Sequence, residues 1–144
     1  LIKLIIPEAK IIYCKRSPMD NCFSLYTHKF VDMAHQYSYN QELLGEYYLM
    51  HTNLMEFWLE KYDDIFVLDN EILVNDQEGT SKEIVKFCSL KWENECLNFY
   101  KTKRQVRTAS IEQVRQPINK KSIGAWKKYE KYLSELISIL KYQK

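Results

Sequence analysis

The sequence predicts an α/β layer that is predominantly helical and carries a short parallel β-sheet. Ile11-Ile12-Tyr13-Cys14 and Ile65-Phe66-Val67-Leu68 are continuously apolar runs rich in β-branched and aromatic residues, the pattern of strands covered on both faces. A long stretch of helical periodicity separates them, which suits a right-handed crossover between parallel neighbours. The 144 residues are 46% hydrophobic and 14% aromatic with only three Gly and three Pro, so a core can form and collagen-like, linker-rich or disordered classes are excluded. Two strands alone make a poor sheet. Its remaining neighbours are expected before Leu1 or from another chain.

The first strand follows the turn-like Pro7-Glu8-Ala9 and ends at Arg16. A helix then starts with Ser17 as N-cap, Pro18 at the first helical position and Asp20 at the third. Met19, Cys22, Phe23, Tyr26 and Phe30 recur at helical spacing as its buried stripe, while Ser17, Asn21, Ser24 and His28 share a polar face. A long helix is expected from Tyr39 to Tyr62, with Leu44, Tyr47, Tyr48, His51, Leu54, Met55, Trp58 and Leu59 on one side. After the second strand, Ser81 to Cys88 reads as a helix with Ile84, Val85, Phe87 and Cys88 inward. A loop with Trp92 and a short helix from Glu93 to Tyr100 follow. The stretch from Lys101 to Lys121 lacks sustained periodicity, contains Pro117 and reads mainly as loop. Ser122 to Tyr142 closes the chain as a helix carrying Trp126, Tyr129, Leu133, Leu136, Ile137 and Leu140. No internal repeat is present, so 1–144 reads as a single domain or as part of a larger one.

The net charge of +2 hides two opposed blocks. Lys101 to Lys131 carries ten Lys or Arg against Glu112 and Glu130, whereas Asp32 to Glu95 carries fourteen Asp or Glu against four Lys. An anionic partner is expected at the basic block. The acidic neighbour disfavours a broad nucleic-acid surface and leaves a compact phosphate site as the better fit. No apolar run reaches the length of a membrane span. The opening Leu1 to Pro7 is too short for a secretory signal, lacks Met and begins inside a hydrophobic run. The chain is therefore expected to be cytoplasmic and to be the C-terminal piece of something longer. Cys14, Cys22, Cys88 and Cys96 form no C-x-x-C pair and sit among apolar neighbours, as buried free thiols do.

Most other chemistry-bearing side chains have ordinary explanations. His28, His35 and His51 form no metal-ligand motif, so no metal is expected. No nucleophile motif surrounds the serines. Glu42 and Glu46, one helical turn apart, read as a solvated face, as do Asp63 and Asp64. Tyr47, Tyr48 and Trp58 read as core packing.

The junction Lys15-Arg16-Ser17-Pro18-Met19-Asp20 is different. It sets a guanidinium at the C-terminal end of a strand beside a helix N-terminus, the edge of an open α/β sheet where ligands bind. Arg16 offers a planar fork for phosphate, with charged hydrogen bonds worth about 1.5–3 kcal/mol each. Asp20 in the first turn would repel the same anion, so Arg16 with the Ser24 hydroxyl, one turn beyond Asp20, is the better cradle, and Asp20 reads as a group that orients Arg16. An ordinary capped turn with a solvated Arg is the alternative.

Arg16-Ser17-Pro18-Met19-Asp20-Asn21-Cys22-Phe23-Ser24 resembles the Arg-x-Pro-x-Asp-x-x-x-Ser signature of sulfotransferases that use 3′-phosphoadenosine 5′-phosphosulfate (PAPS). Thr108 to Ile118 is similar to a segment of the bacterial, tetratricopeptide-linked sulfotransferases and of tyrosylprotein sulfotransferases. Lys120-Lys121-Ser122-Ile123-Gly124-Ala125-Trp126 resembles the basic Gly-x-Trp segment that closes over the nucleotide. The likeness runs in order from about Glu8 to Leu133. It implies the C-terminal half of a P-loop-like sulfotransferase fold and an enzyme that moves a sulfuryl group from PAPS to an acceptor hydroxyl. By that resemblance Arg16 and Ser24 hold the 3′-phosphate of PAPS or of adenosine 3′,5′-bisphosphate, and Ser110, Lys120 and Lys121 are further cofactor contacts. Trp126 is open to two readings, stacking on adenine or packing of the last helix.

The sequence departs from the family's pattern in three places. Asn70 stands where a Tyr is usual after the second strand, and Ala125 where Lys or Arg often precedes the Trp, leaving Lys120, Lys121 and Lys127 as the cations available to compensate. No Gly-rich phosphate loop occurs, so the loop for the 5′-phosphosulfate and the catalytic base are expected upstream of Leu1. The polypeptide alone is then expected to bind without turning over. Two other readings stay open: a non-catalytic interaction module, such as a homo-oligomer that completes the sheet, and a nucleic-acid-binding domain using residues 101–131.

Overall fold

A computed structural model describes residues 1–30, 33–102 and 113–141. The chain forms α1 (Ile2–Ile5), β1 (Ile11–Lys15), α2 (Pro18–Thr27), α3 (Gln41–Lys61), β2 (Ile65–Asp69), α4 (Asn70–Asn75), α5 (Gln77–Phe87) and α6 (Ser134–Lys141). Four 3₁₀ helices, Met33–Tyr39, Asn94–Lys101, Gln113–Arg115 and Ala125–Tyr132, lie among them. Two compact units result. One is Leu1–Lys15 with Asp64–Lys120, and the other is Arg16–Asp63 with Lys121–Lys144.

The first unit contains the sheet. β1 and β2 pair in parallel from Ile11 against Ile65 to Lys15 against Asp69, so each expected strand is present and one residue longer. The expected burial of both strand faces does not hold. The strands are half-buried, and Val67 is 44% exposed, because two paired strands leave little to cover either face. β2 runs directly into α4, which the sequence pattern did not reveal. Asp69 ends the strand and caps the helix at once, its Oδ1 accepting from the Glu71 and Ile72 N–H groups at 2.8 and 3.1 Å. α5 begins at Gln77, four residues before the expected Ser81. Its cap is Asp76, whose Oδ1 accepts from the Gly79 N–H at 2.9 Å. A Cβ at position 79 would sit 2.2 Å from that carboxylate, so any side chain there would push the cap aside. The short helix expected from Glu93 to Tyr100 is a 3₁₀ helix over Asn94–Lys101, kinked at Asn98.

The second unit contains the core. Cys22, Leu44, Tyr48, Leu133, Leu136 and Leu140 are buried together, with Met19, Phe23, Tyr26, Trp126 and Ile137 packed around them. α3 and α6 approach closely at Gly45, where an added Cβ would meet Ile139 Cγ2 at 2.8 Å. α2 starts at Pro18 as expected and Ser17 holds the N-cap position, but the Ser17 side chain makes no capping hydrogen bond. The helix ends at Thr27, so Phe30 lies beyond it and stacks on His35 at 4.2 Å. Asn40, whose side chain accepts from the Leu43 N–H, caps α3 two residues after the expected start. Of the stripe expected on α3, only Leu44 and Tyr48 are buried, and Tyr47, His51, Leu54 and Trp58 are exposed. Beyond Tyr48 the helix is apolar on several sides, and the core of this unit reaches only its first half.

The closing helix is broken. Gly124 takes a left-handed conformation (φ +69°), Ala125–Tyr132 is 3₁₀, and α6 begins after a non-helical Leu133. The Gln41 side-chain amide bridges that break. It donates to the Tyr132 carbonyl at 2.9 Å and accepts from the Leu136 N–H at 3.3 Å. The four thiols are free, but only Cys22 is buried, and burial pushes its pKa up to about 12. Cys14 and Cys96 are exposed, contrary to expectation. Among the described residues no helix is long and apolar enough to cross a membrane.

Candidate phosphate-binding site

Arg16, Ser24, Lys121 and the Gly-x-Trp segment all fall in the second unit. Arg16 follows β1 directly and precedes the N-cap of α2, a position fixed by the strand end and by Pro18, which cannot continue an extended ladder but fits a first helical turn. Its guanidinium is part-buried. Nη2 donates to the Ser122 carbonyl at 3.0 Å, and the Tyr48 hydroxyl lies 3.5 Å from the Arg16 carbonyl. Seven residues past Ser17, Ser24 returns to nearly the same face of α2, with its side chain exposed.

Asp20 is partnered with the Gly-x-Trp segment rather than with Arg16 itself. Only 3% exposed, it accepts through Oδ2 from the Gly124 N–H at 2.8 Å. Among the described residues no ion pair joins it to Arg16, and Asp20 Oδ1 and Arg16 Nε are each buried without a hydrogen-bond partner. The positive N-terminal end of α2 helps to offset the buried carboxylate. Two motifs separated by about a hundred residues are thus fastened together by a donor from one side chain and an acceptor from another. Sequence reasoning missed this link. Its one legible signal was Gly124, because a lone glycine before a helical run marks a special backbone turn.

The nucleotide implied by the resemblance fits these residues at its phosphate end. Arg16 spends one of its five N–H donors on Ser122 and has no other hydrogen bond from its guanidinium among the described residues, and the Ser24 hydroxyl is open to solvent. A planar cation and an exposed hydroxyl are the kinds of group that suit a dianionic phosphate. Among the described residues no group of His, Cys, Asp and Glu could hold a metal ion. Lys121 is exposed, as is Lys120, which ends the other unit. Trp126 packs against the core. Asn70 is the first residue of α4. Ser110 lies outside the described residues, as does residues 103–112 of the basic block.

Comparison with known proteins agrees with the first motif. The Sulfotransferase family model matches residues 1–94, a span that includes Arg16, Pro18, Asp20 and Ser24. An uncharacterized protein of Aquifex aeolicus (strain VF5) is 38% identical over 143 residues, covering 97% of this chain and 19% of that protein. The chain therefore spans about a fifth of the length of the curated relative it matches. No solved structure matches the chain. With a family match across well over half its residues, the chain belongs to the sulfotransferase family.

Proposed function

We propose that this chain supplies the 3′-phosphate subsite of a PAPS-dependent sulfotransferase with a P-loop-like fold. PAPS brings the sulfuryl group that such an enzyme passes to an acceptor hydroxyl. Arg16 binds and orients the 3′-phosphate with its free donors, and Ser24 adds a hydroxyl on the same face of α2. Lys120 and Lys121 add positive charge, and Ser110 a further contact. The observation that carries this reading is the Arg16–Ser122 hydrogen bond. It ties the phosphate-reading motif to the basic Gly-x-Trp segment while leaving most of the guanidinium for a ligand.

These residues hold the end of the nucleotide remote from the transferred group. That grip contributes binding and in-line placement rather than bond making, so the polypeptide by itself binds nucleotide without turning it over. The test is thermal. Adenosine 3′,5′-bisphosphate raises the melting temperature of the protein by several degrees at ligand concentrations on the order of 100 times Kd, and Arg16→Ala abolishes that rise while the nucleotide-free protein still melts cooperatively. An identical rise in Arg16→Ala would remove the assignment.

A further inference from the structure

We infer that Asp20 is a positioning residue: its buried carboxylate, through the Gly124 N–H, fixes the Ser122–Trp126 segment beside Arg16 and so sets the strength of the phosphate grip. This deepens the reading above and rests on it for the identity of the ligand.

A carboxylate 3% exposed is costly unless its charge is met by donors. The donor here is the Gly124 N–H at 2.8 Å, a charge-assisted bond. The other oxygen, Oδ1, is buried without a partner. Opening the Gly124 contact would leave both oxygens unpaired, so the segment is strongly held closed. Gly124 makes the contact possible. At φ +69° it turns the backbone in a way that strains other L-residues, although a Cβ there would only touch Lys127 at 3.7 Å. Two residues earlier, the Ser122 carbonyl takes the Arg16 Nη2 donor at 3.0 Å.

The two bonds have opposite polarity and different duties. Arg16 must both hold the segment and face the phosphate, whereas Asp20 is buried, negative and unsuited to touching an anion. Asp20 therefore bears the holding role, and Arg16 keeps one orientation because the Ser122 carbonyl it bonds is already in place. Without Asp20 the carbonyl moves and the guanidinium follows it.

Calorimetric titration with adenosine 3′,5′-bisphosphate, paired with hydrogen–deuterium exchange of the peptide spanning residues 121–126, decides the matter in Asp20→Ala, Asp20→Asn and Gly124→Ala. Asp20→Ala weakens binding by about tenfold or more and speeds exchange at 121–126, while β1 and β2 keep their protection. Asp20→Asn retains an oxygen for the Gly124 N–H and returns affinity to within about threefold of wild type, with slow exchange restored. A residue needed only for packing would fail in both variants alike. If Asp20→Ala does not fold, Gly124→Ala takes its place, since it strains the segment without touching α2 and is expected to show the same two effects. Wild-type affinity, or wild-type exchange at 121–126, in the deciding variant overturns the inference. A wild-type protein that binds no nucleotide would instead remove the proposed function, and exchange in the ligand-free variants would still judge Asp20.

Discussion

The two units of this protein differ in whether a buried apolar core forms among their described residues. Among the described residues every buried core side chain, from Cys22 to Leu140, belongs to the unit of Arg16–Asp63 and Lys121–Lys144. Among its described residues the unit of Leu1–Lys15 and Asp64–Lys120 has only Thr80 buried, while large apolar side chains are exposed in both units, Leu1, Leu4 and Val67 in this one and Met50, Leu54 and Phe57 in the other. Helices can cover one another in threes, whereas a pair of strands closes one ladder and leaves two open edges and two faces. The candidate phosphate residues Arg16 and Ser24 sit in the better-packed unit. A binding constellation gains precision from rigid support, and here Asp20, Cys22 and Leu133 supply it close by in sequence or space.

The largest expected effect tests that contrast. Leu136, with 0% exposure, and Val67, 44% exposed, are similar in chemistry and opposite in setting. Leu136→Ala is expected to destabilise by about 2–5 kcal/mol in urea denaturation, and Val67→Ala by less than about 1 kcal/mol. Equal losses would dissolve the difference between the units. A smaller effect probes the fit of α3 on α6. Gly45→Ala gains about 1 kcal/mol of helix propensity but forces a Cβ against Ile139, an overpacking penalty of about 1–3 kcal/mol. A net loss of about 1 kcal/mol is expected by the same measurement, and a net gain would mean that this contact yields easily.

Features coded locally were legible in the sequence. The strands at Ile11 and Ile65 were found to within one residue, because continuous β-branched runs have few other uses. Pro18 marked the start of α2 for a purely steric reason. What stayed hidden depended on distant or competing partners. Asp20 at the third helical position suggested a service to its neighbour Arg16, but its actual partner is Gly124, 104 positions away. α4 was missed because Asp69 is both strand end and cap, leaving no loop to announce a new helix. Ser81 reads as a helix start, but Asp76 and Gly79 already begin α5 four residues earlier. In α3, apolar residues surround the helix beyond Tyr48, so spacing alone did not say which side the core would cover. At Leu133 the last helix breaks, and the Gln41 amide that bridges the break comes from the other end of the unit's sequence.

The candidate site follows the same rule. Arg16 and Ser24 came from a contiguous motif and lie together in one unit, whereas the bond that fastens Arg16 to Ser122 joins residues 106 positions apart. A local pattern thus named the candidate phosphate-binding groups, and tertiary structure supplied the bond that holds Arg16.

In the function proposed above, the Arg16 guanidinium, backed by Ser24, reads a phosphate on the ribose 3′-oxygen. Calorimetric titration of the protein with adenosine 3′,5′-bisphosphate and, separately, with adenosine 5′-monophosphate isolates that one group. Tighter binding of the bisphosphate by about tenfold or more is expected from one or two charge-assisted hydrogen bonds. Equal affinity for the two nucleotides would mean that neither Arg16 nor Ser24 reads the 3′-phosphate.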